Sequence, residues 1–299
     1  MLRAKSLLIL MLTLMLSSGV LILSCRSGEG PITAEVVIIH SANLPLDPND
    51  PLWKAAPKHL AKLIPQDLVE PRLIKASTSE VQVKAVSNGA NVAFRLEWLD
   101  DVKNDLPGPA KFIDGCAVQV PSKIAANVPD PQMGQTGQSV EITFWRADWQ
   151  AIMNGRKDSI KELYPNAAID HYPFEAKPLE KDSVAQSEMQ KRYAPARTLG
   201  NNREGPRDSA VEELIAEGPG SLSPAPNPTG AKGKGLYNGK VWSVVILRSL
   251  PKDLSPNTRS QIAFAIWEGG HKEVGARKMR SGWVPLLMKA EGELSKNAH

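Results

Sequence analysis

The chain has 299 residues, of which 42% are hydrophobic and 5% aromatic, and its formal net charge is +4. This length allows a large core in one domain or two. The scattered basic residues and the few aromatic ones argue against a nucleic-acid-binding protein. The 24 prolines and 22 glycines indicate many turns, which favours a mainly β fold over a helical bundle.

The N-terminus predicts an exported protein. Arg3 and Lys5 precede an apolar run over residues 7–23, and Ser24 follows it. A charged start, an apolar middle and a small residue before the cleavage point are typical of a secretory signal peptide. We therefore predict a signal peptide over residues 1–24 and a periplasmic or otherwise extracytoplasmic location.

Cys25, directly after this segment, indicates a lipid anchor. The sequence Ile22-Leu23-Ser24-Cys25 resembles a bacterial lipobox, in which the cysteine is acylated and becomes the new N-terminus. We expect lipidation at Cys25, a tether over residues 25–32 and attachment to the membrane through the N-terminal lipid. An ordinary signal peptide and an uncleaved anchor are the alternatives, because the apolar run is close to membrane-spanning length.

The rest of the sequence lacks the common motifs of metal centres and enzymes. Beyond Cys25 it contains one cysteine, Cys116, and no Cys-x-x-Cys-His motif for covalent haem. The five histidines are dispersed without a ligand spacing, and no nucleophile, phosphate-loop or zinc-protease motif is present. The residues alone therefore do not indicate an enzyme, and any cofactor must be held by other side chains.

Alternating apolar residues predict a series of strands. In chain order they lie at residues 81–86, 91–98, 116–120, 140–145, 241–247 and 262–267. The turn Asn88-Gly89 predicts a hairpin between the first two, and Val140, Ile142 and Phe144 are predicted to face inward. We predict a mainly β protein, an antiparallel β-sandwich with long loop and helix insertions, as a single domain over residues 33–299.

One helix is predicted in the polar, proline-rich insertion at residues 147–234. Ser209-Ala-Val-Glu212 has the pattern of a capping box at a helix N-terminus, and Gly218 follows Glu217 as a stop signal.

Two loops place potential metal ligands next to predicted strands. Met133 lies in a tight loop before residues 140–145, and Lys278 lies in the loop after residues 262–267, ahead of Trp283, which should pin this loop to the body of the protein. A loop methionine usually fills a gap and a loop lysine is usually solvated. The residues alone thus leave a structural and a functional role open for both.

Six segments in the same order resemble the haem-b-binding gamma subunits of periplasmic molybdenum enzymes. This family includes ethylbenzene dehydrogenase, dimethylsulfide dehydrogenase, and the selenate and chlorate reductases, with nitrite oxidoreductase relatives. The segments are DPNDPLW (47–53), DGCAVQVP (114–121), PDPQMGQTGQSVEITFWRADWQ (129–150), YAPARTLGNN with SAVEELIAEGPGSL (193–202, 209–222), NGKVWSVVILRSL (238–250) and FAIWEGG (264–270).

The resemblance implies one non-covalent haem b whose iron has a methionine and a lysine as axial ligands. Matched residue by residue, the methionine is Met133 and the lysine is Lys278. Members often have a small hydroxyl-rich run after the lysine, where this chain has Met279-Arg280-Ser281-Gly282. Met279 is therefore a neighbouring alternative ligand.

The resemblance also implies an electron-transfer subunit that is not itself an enzyme. It would pass electrons between a partner iron–sulfur subunit and a soluble c-type cytochrome, while a subunit with a molybdenum cofactor performs the substrate chemistry. Two alternatives stay open. One is a free-standing haem lipoprotein that acts as a carrier or redox sensor, and the other is a non-haem, carbohydrate-binding-like sandwich module.

Overall fold

The computed structural model describes residues 30–157, 164–166 and 207–290, together with residues 184, 188 and 192. The predicted signal peptide, Cys25 and the segment 193–202 lie outside the described residues. In the described part, no helix has both the length and the apolar character needed to cross a membrane.

The described residues form a mainly β structure, as predicted. Its strands are β1 (Ile32–Thr33), β2 (Val36–His40), β3 (Lys58–Lys62), β4 (Ile64–Pro65), β5 (Glu80–Ser87), β6 (Asn91–Leu99), β7 (Gly115–Pro121), β8 (Val140–Arg146), β9 (Val211–Ala216), β10 (Ser223–Pro224), β11 (Lys232–Tyr237), β12 (Val241–Ser249), β13 (Arg259–Trp267), β14 (Met279–Arg280) and β15 (Val284–Met288). Two short helices, α1 (Leu52–Ala55) and α2 (Ala147–Met153), and a 3₁₀ turn at Gly269–His271 accompany them. All six strands predicted from alternation are confirmed.

The strands form two layers that share β13. The first sheet has the order β11-β12-β6-β5-β2-β15-β13, and the second has the order β10-β9-β8-β7-β13 with β14 and β4 beyond. Residues 259–262 of β13 pair with β15, whereas residues 263–267 pair with β7. Most pairs are antiparallel, but β2 runs parallel to both β5 and β15. The predicted sandwich is confirmed, with these parallel pairs as an addition.

The main core lies between the layers and is rich in tryptophan. Trp98 and Trp242 come from the first sheet and stack with ring centroids 6.3 Å apart, while Trp145 of the second sheet meets Trp242 edge-on at 5.1 Å. Such aromatic pairs add to the stabilisation from buried area. Phe94 and Phe264 extend this core along β6 and β13.

The second sheet is covered on its other face as well. Val140 and Ile142 of β8 are buried there in a smaller cluster with Ala117 and Leu214, while Trp145 of the same strand enters the main core. Val140 and Ile142 are therefore buried as predicted, but on the face that points away from the main core, and Phe144 is only partly buried. We call this the outer face of the second sheet.

The helix predicted at residues 209–217 is wrong, because the chain forms strand β9 there. Ser209 donates from its hydroxyl to the Ala231 carbonyl across the loop. The Glu213 carboxylate accepts hydrogen bonds from the amides of Thr229, Gly230 and Ala231. Pairing with β8 along its whole length and these loop contacts override the local helix signal.

Candidate functional site

A cavity of about 500 Å³ lies on the outer face of the second sheet. Its floor consists of side chains from three neighbouring strands, with Ala263 and Ala265 from β13, Ala117 from β7, and Ile142 and Phe144 from β8. A mostly apolar cavity of this size is typical of a small-molecule or cofactor site.

The centre of the floor is recessed because β7 and β13 carry small residues there. Ala265 pairs with Ala117, which pairs with Phe144 in the next strand. The cavity is bounded at one end by Trp267, whose ring centroid lies 4.9 Å from that of Phe144. An extended apolar ligand could therefore rest between larger side chains on a base of alanines.

Met133 belongs to one wall of the cavity. Its backbone has φ 73° and that of Gly134 has φ 79°; the left-handed conformation is uncommon for a residue other than glycine and requires support from its surroundings. That support comes from hydrogen bonds of Gly134 N to Asp130 O and of Gly218 N to Met133 O, both 2.8 Å. The loop thus fixes the position of the methionine.

Lys278 belongs to another wall. Its Nζ lies 5.1 Å from the ring centroid of Trp267, and its side chain is partly buried. Burial, and after it the charge of Arg280, lower the pKa of Lys278 to about 8. The structure thus brings both sequence-predicted site residues to the same cavity and gives the lysine a reduced cost of losing its proton.

Gln66 holds the backbone of the proposed lysine ligand and of Ala276, two residues before it. Its amide N–H donates to Lys278 O at 2.9 Å, and its side-chain Nε2 donates to Ala276 O at 3.0 Å. Its Oε1 accepts from the amides of Leu68 and Val69. Sequence analysis missed this residue, because it lies 210 positions from Ala276 and no local pattern marks the contact.

Trp283 joins the two loops that carry Met133 and Lys278. Its indole Nε1 donates to Pro129 O at 2.6 Å, and its ring packs on the same outer cluster as Met133. The predicted role of Trp283 in pinning its loop is thus confirmed, and its partner is the methionine loop.

Met279 has a different position from its two neighbours. It is 1% exposed and packs in the main core, whereas Lys278 and Arg280 line the cavity. Alternation along β14 therefore points Met279 to the opposite side, which argues against Met279 as an alternative ligand.

Buried carboxylic acids lie beside the lysine loop. Asp114 accepts hydrogen bonds from Gly269 N and from the Trp242 indole, at 2.8 and 3.0 Å. Burial, with a further contribution from the charge of Asp100, raises the pKa of Asp114 to about 7. Burial likewise raises the pKa of Asp100 to about 6 and that of Glu273 above its usual range. Protonation of these three carboxylic acids is therefore coupled to the packing of the loop that carries Lys278.

Known proteins resemble this chain in sequence. The model of a family described as ethylbenzene dehydrogenase matches residues 50–279, a range that includes Met133 and Lys278. A protein of Haloferax mediterranei, provisionally named respiratory nitrate reductase heme subunit ORF7, is 22% identical over 246 residues, which are 80% of this chain and 67% of that protein.

Solved structures give a weaker likeness. Two structures of a carbohydrate binding module of family 9 from Caldicellulosiruptor kristjanssonii, in complex with cellotriose and with glucose, have TM-scores of 0.40 and 0.36 at 10% identity. The alignments cover 88% and 86% of this chain, and 96% and 97% of the modules.

Proposed function

We infer that this chain, which belongs to the ethylbenzene dehydrogenase family, is the haem subunit of a respiratory oxidoreductase complex similar to nitrate reductase. It is a non-catalytic electron-transfer subunit. The observation that carries this proposal is that Met133 and Lys278 line one cavity.

The side chains of this cavity fit a haem. A thioether on one wall and an amine on another are a soft and a nitrogen donor, both of which bind iron in haem proteins or metal sites. A lysine can donate to a metal only as the neutral amine. With a pKa of about 8, Lys278 needs on the order of 1 kcal/mol to lose its proton at pH 7, against roughly 5 kcal/mol for an exposed lysine.

The remaining side chains that line the cavity would contact the bound haem and exclude water from it. The alanines of the floor leave space for a flat ligand, while Phe144, Trp267 and Leu214 supply apolar contact area. Haem b bound here would supply one-electron transfer. If Met133 and Lys278 both held the iron, the chain would leave no position on the metal for a substrate, and turnover would belong to another subunit.

The finer features of the proposal concern the assembly. We propose one non-covalent haem b per chain and partner subunits that carry iron–sulfur clusters and a molybdenum cofactor. A soluble c-type cytochrome would exchange electrons with this subunit in the periplasm. The lipobox-like sequence at Cys25 supports anchoring to the membrane through an N-terminal lipid.

Replacement of the two proposed ligands tests the haem assignment. We expect the purified protein to show a low-spin b-type absorption spectrum, and acid acetone to extract the haem, because no cysteine motif attaches it. Met133→Ala and Lys278→Ala should each shift the spectrum towards high spin, and Met133→Ala should lower the reduction potential.

Met279→Leu is the matched control, because Met279 is adjacent to Lys278 but packs in the main core. It should keep the wild-type spectrum. A protein that binds no haem, or that retains its low-spin spectrum in both ligand variants, would contradict the proposal.

A further inference from the structure

Arg280 is a buried cation in the cavity, and the described part of the chain offers it no partner. The residue is 9% exposed and lines the cavity. Its Nε is inaccessible and unbonded, and within residues 30–157 and 207–290 no side chain or carbonyl forms a hydrogen bond or ion pair with its guanidinium. An unpaired buried charge is costly, so a missing anionic partner is the physical expectation.

The pairing of β14 determines the face of the sheet from which the Arg280 side chain projects. In β14, Arg280 lies opposite Ala265 of β13 on one side and Ile64 of β4 on the other. Directly paired residues share a face of the sheet. Arg280 therefore extends the row of Ala265 and Ala117, and its side chain lies on the cavity side, while Met279 occupies the core side.

Other charged groups around the cavity have partners of their own or lie in solvent. The carboxylate of Glu273 accepts hydrogen bonds from Ser77 Oγ and from Glu268 N. Arg146 donates to Asp148 at 2.8 Å, and Lys111 is exposed. Among the described lining residues, none therefore neutralises Arg280.

We propose that Arg280 binds a carboxylate of the cavity ligand, namely a propionate of haem. This inference rests on the proposed function, because it takes haem as the occupant. A guanidinium offers parallel N–H donors that match both oxygens of a carboxylate. The backbone of Arg280 lies beside the row of alanines, so its guanidinium would reach the edge of a flat ligand on this floor. Lys278 and Met133 are left free for the metal.

Comparison of haem with its dimethyl ester tests this pairing. Both contain the same iron and macrocycle, but the ester has no carboxylate charge. We expect the wild-type apo-protein to bind haem roughly 10- to 100-fold more tightly than the ester, as for a charge-assisted hydrogen bond. In Arg280→Gln this ratio should fall to about threefold or less, mainly through weaker binding of haem.

Two further variants sharpen the test. Arg277→Gln is the matched control, because Arg277 lies three residues before Arg280 but does not line the cavity, and it should keep the wild-type ratio. Arg280→Lys keeps the charge without the planar fork and should give an intermediate ratio, which also covers the case in which Arg280→Gln does not fold.

The outcomes separate this inference from the proposed function. If Arg280→Gln or Arg280→Lys discriminates between haem and the ester as strongly as the wild type, Arg280 does not bind a propionate, although the cavity still binds haem. If the wild type binds neither compound, the haem proposal itself fails. Iron-free protoporphyrin IX and its dimethyl ester should show the same dependence on Arg280, which removes the axial ligands from the comparison.

Discussion

The side chain of Asp114 is 0% exposed, although aspartate is normally charged at neutral pH. Because its pKa is raised from 3.8 to about 7, the folded protein binds a proton between about pH 4 and 7 that the unfolded chain has released. The stabilisation is complete below the unfolded pKa and is lost as the pH rises through 7.

We therefore expect the free energy of unfolding to fall between about pH 4 and 7 and to level off above, with a contribution from Asp114 of up to about 1.4 kcal/mol per pH unit. Asp114→Asn should reduce this slope in urea unfolding measured at several pH values. It should also lower stability, since asparagine keeps only one acceptor oxygen, so either the bond from Gly269 or the bond from Trp242 loses its acceptor. Asp101→Asn, an exposed neighbour, should leave the slope unchanged, and an unchanged slope in Asp114→Asn would refute the assignment.

At the scale of elements, β13 determines the shape of the cavity floor. Ala263 and Ala265 point to the cavity, while Ile262, Phe264 and Ile266 pack in the main core. The two faces of β13 therefore have different roles. Its core face stabilises the sandwich, and its outer face can change in size without disturbing the core.

Ala265→Leu should consequently impair ligand binding rather than folding. The added carbon atoms would occupy the space above the floor, so haem affinity should fall by roughly tenfold or more. The thermal unfolding midpoint of the apo-protein should stay close to that of the wild type. Ala55→Leu on α1, exposed and away from the cavity, is the control. A loss of apo stability without a loss of affinity would contradict this separation.

Local patterns predicted much of the sheet but not its pairing. The β-branched and aromatic alternation of β5, β6, β12 and β13 is a local signal, and all four strands are found. For β8 alternation could not tell the main core from the outer cluster, because apolar residues cover both faces. For β9 the capping-box pattern was misleading, since its conformation is decided by pairing with β8 and by the bonds from residues 229–231 to Glu213.

Some residues of the candidate site are recognisable in the sequence, and others only in the folded chain. The resemblance to a known family selected Met133 and Lys278, which alternation and spacing alone left undecided. Their convergence follows from the pairing of β7 with both β8 and β13, of which β13 is distant in the chain. Gln66 and Arg280 have no motif of their own, and their roles depend on contacts that only the folded chain creates.

At the scale of the whole molecule, the predicted lipid would hold the sandwich at a membrane. Cys25→Ala should release the protein into the soluble periplasmic fraction on cell fractionation, with an unchanged haem spectrum, because residues 25–32 precede the strands of the sandwich apart from the first residue of β1. Cys116→Ala, a buried cysteine in the main core, is the matched control and should stay with the membrane. Retention of Cys25→Ala would indicate an uncleaved segment or a partner as the anchor.

The position of β15 determines the order of assembly during synthesis. This strand, at residues 284–288, lies between β2 from the start of the sandwich and β13 from near its end. Until the ribosome has released it, β2 and the first half of β13 each lack a neighbour, and the sheet stays open. Pairing between such distant segments is slow. Nascent chains should therefore remain incompletely paired until residues 284–288 have been synthesised, which is compatible with passage through a translocation channel before folding and with cofactor insertion as a late step.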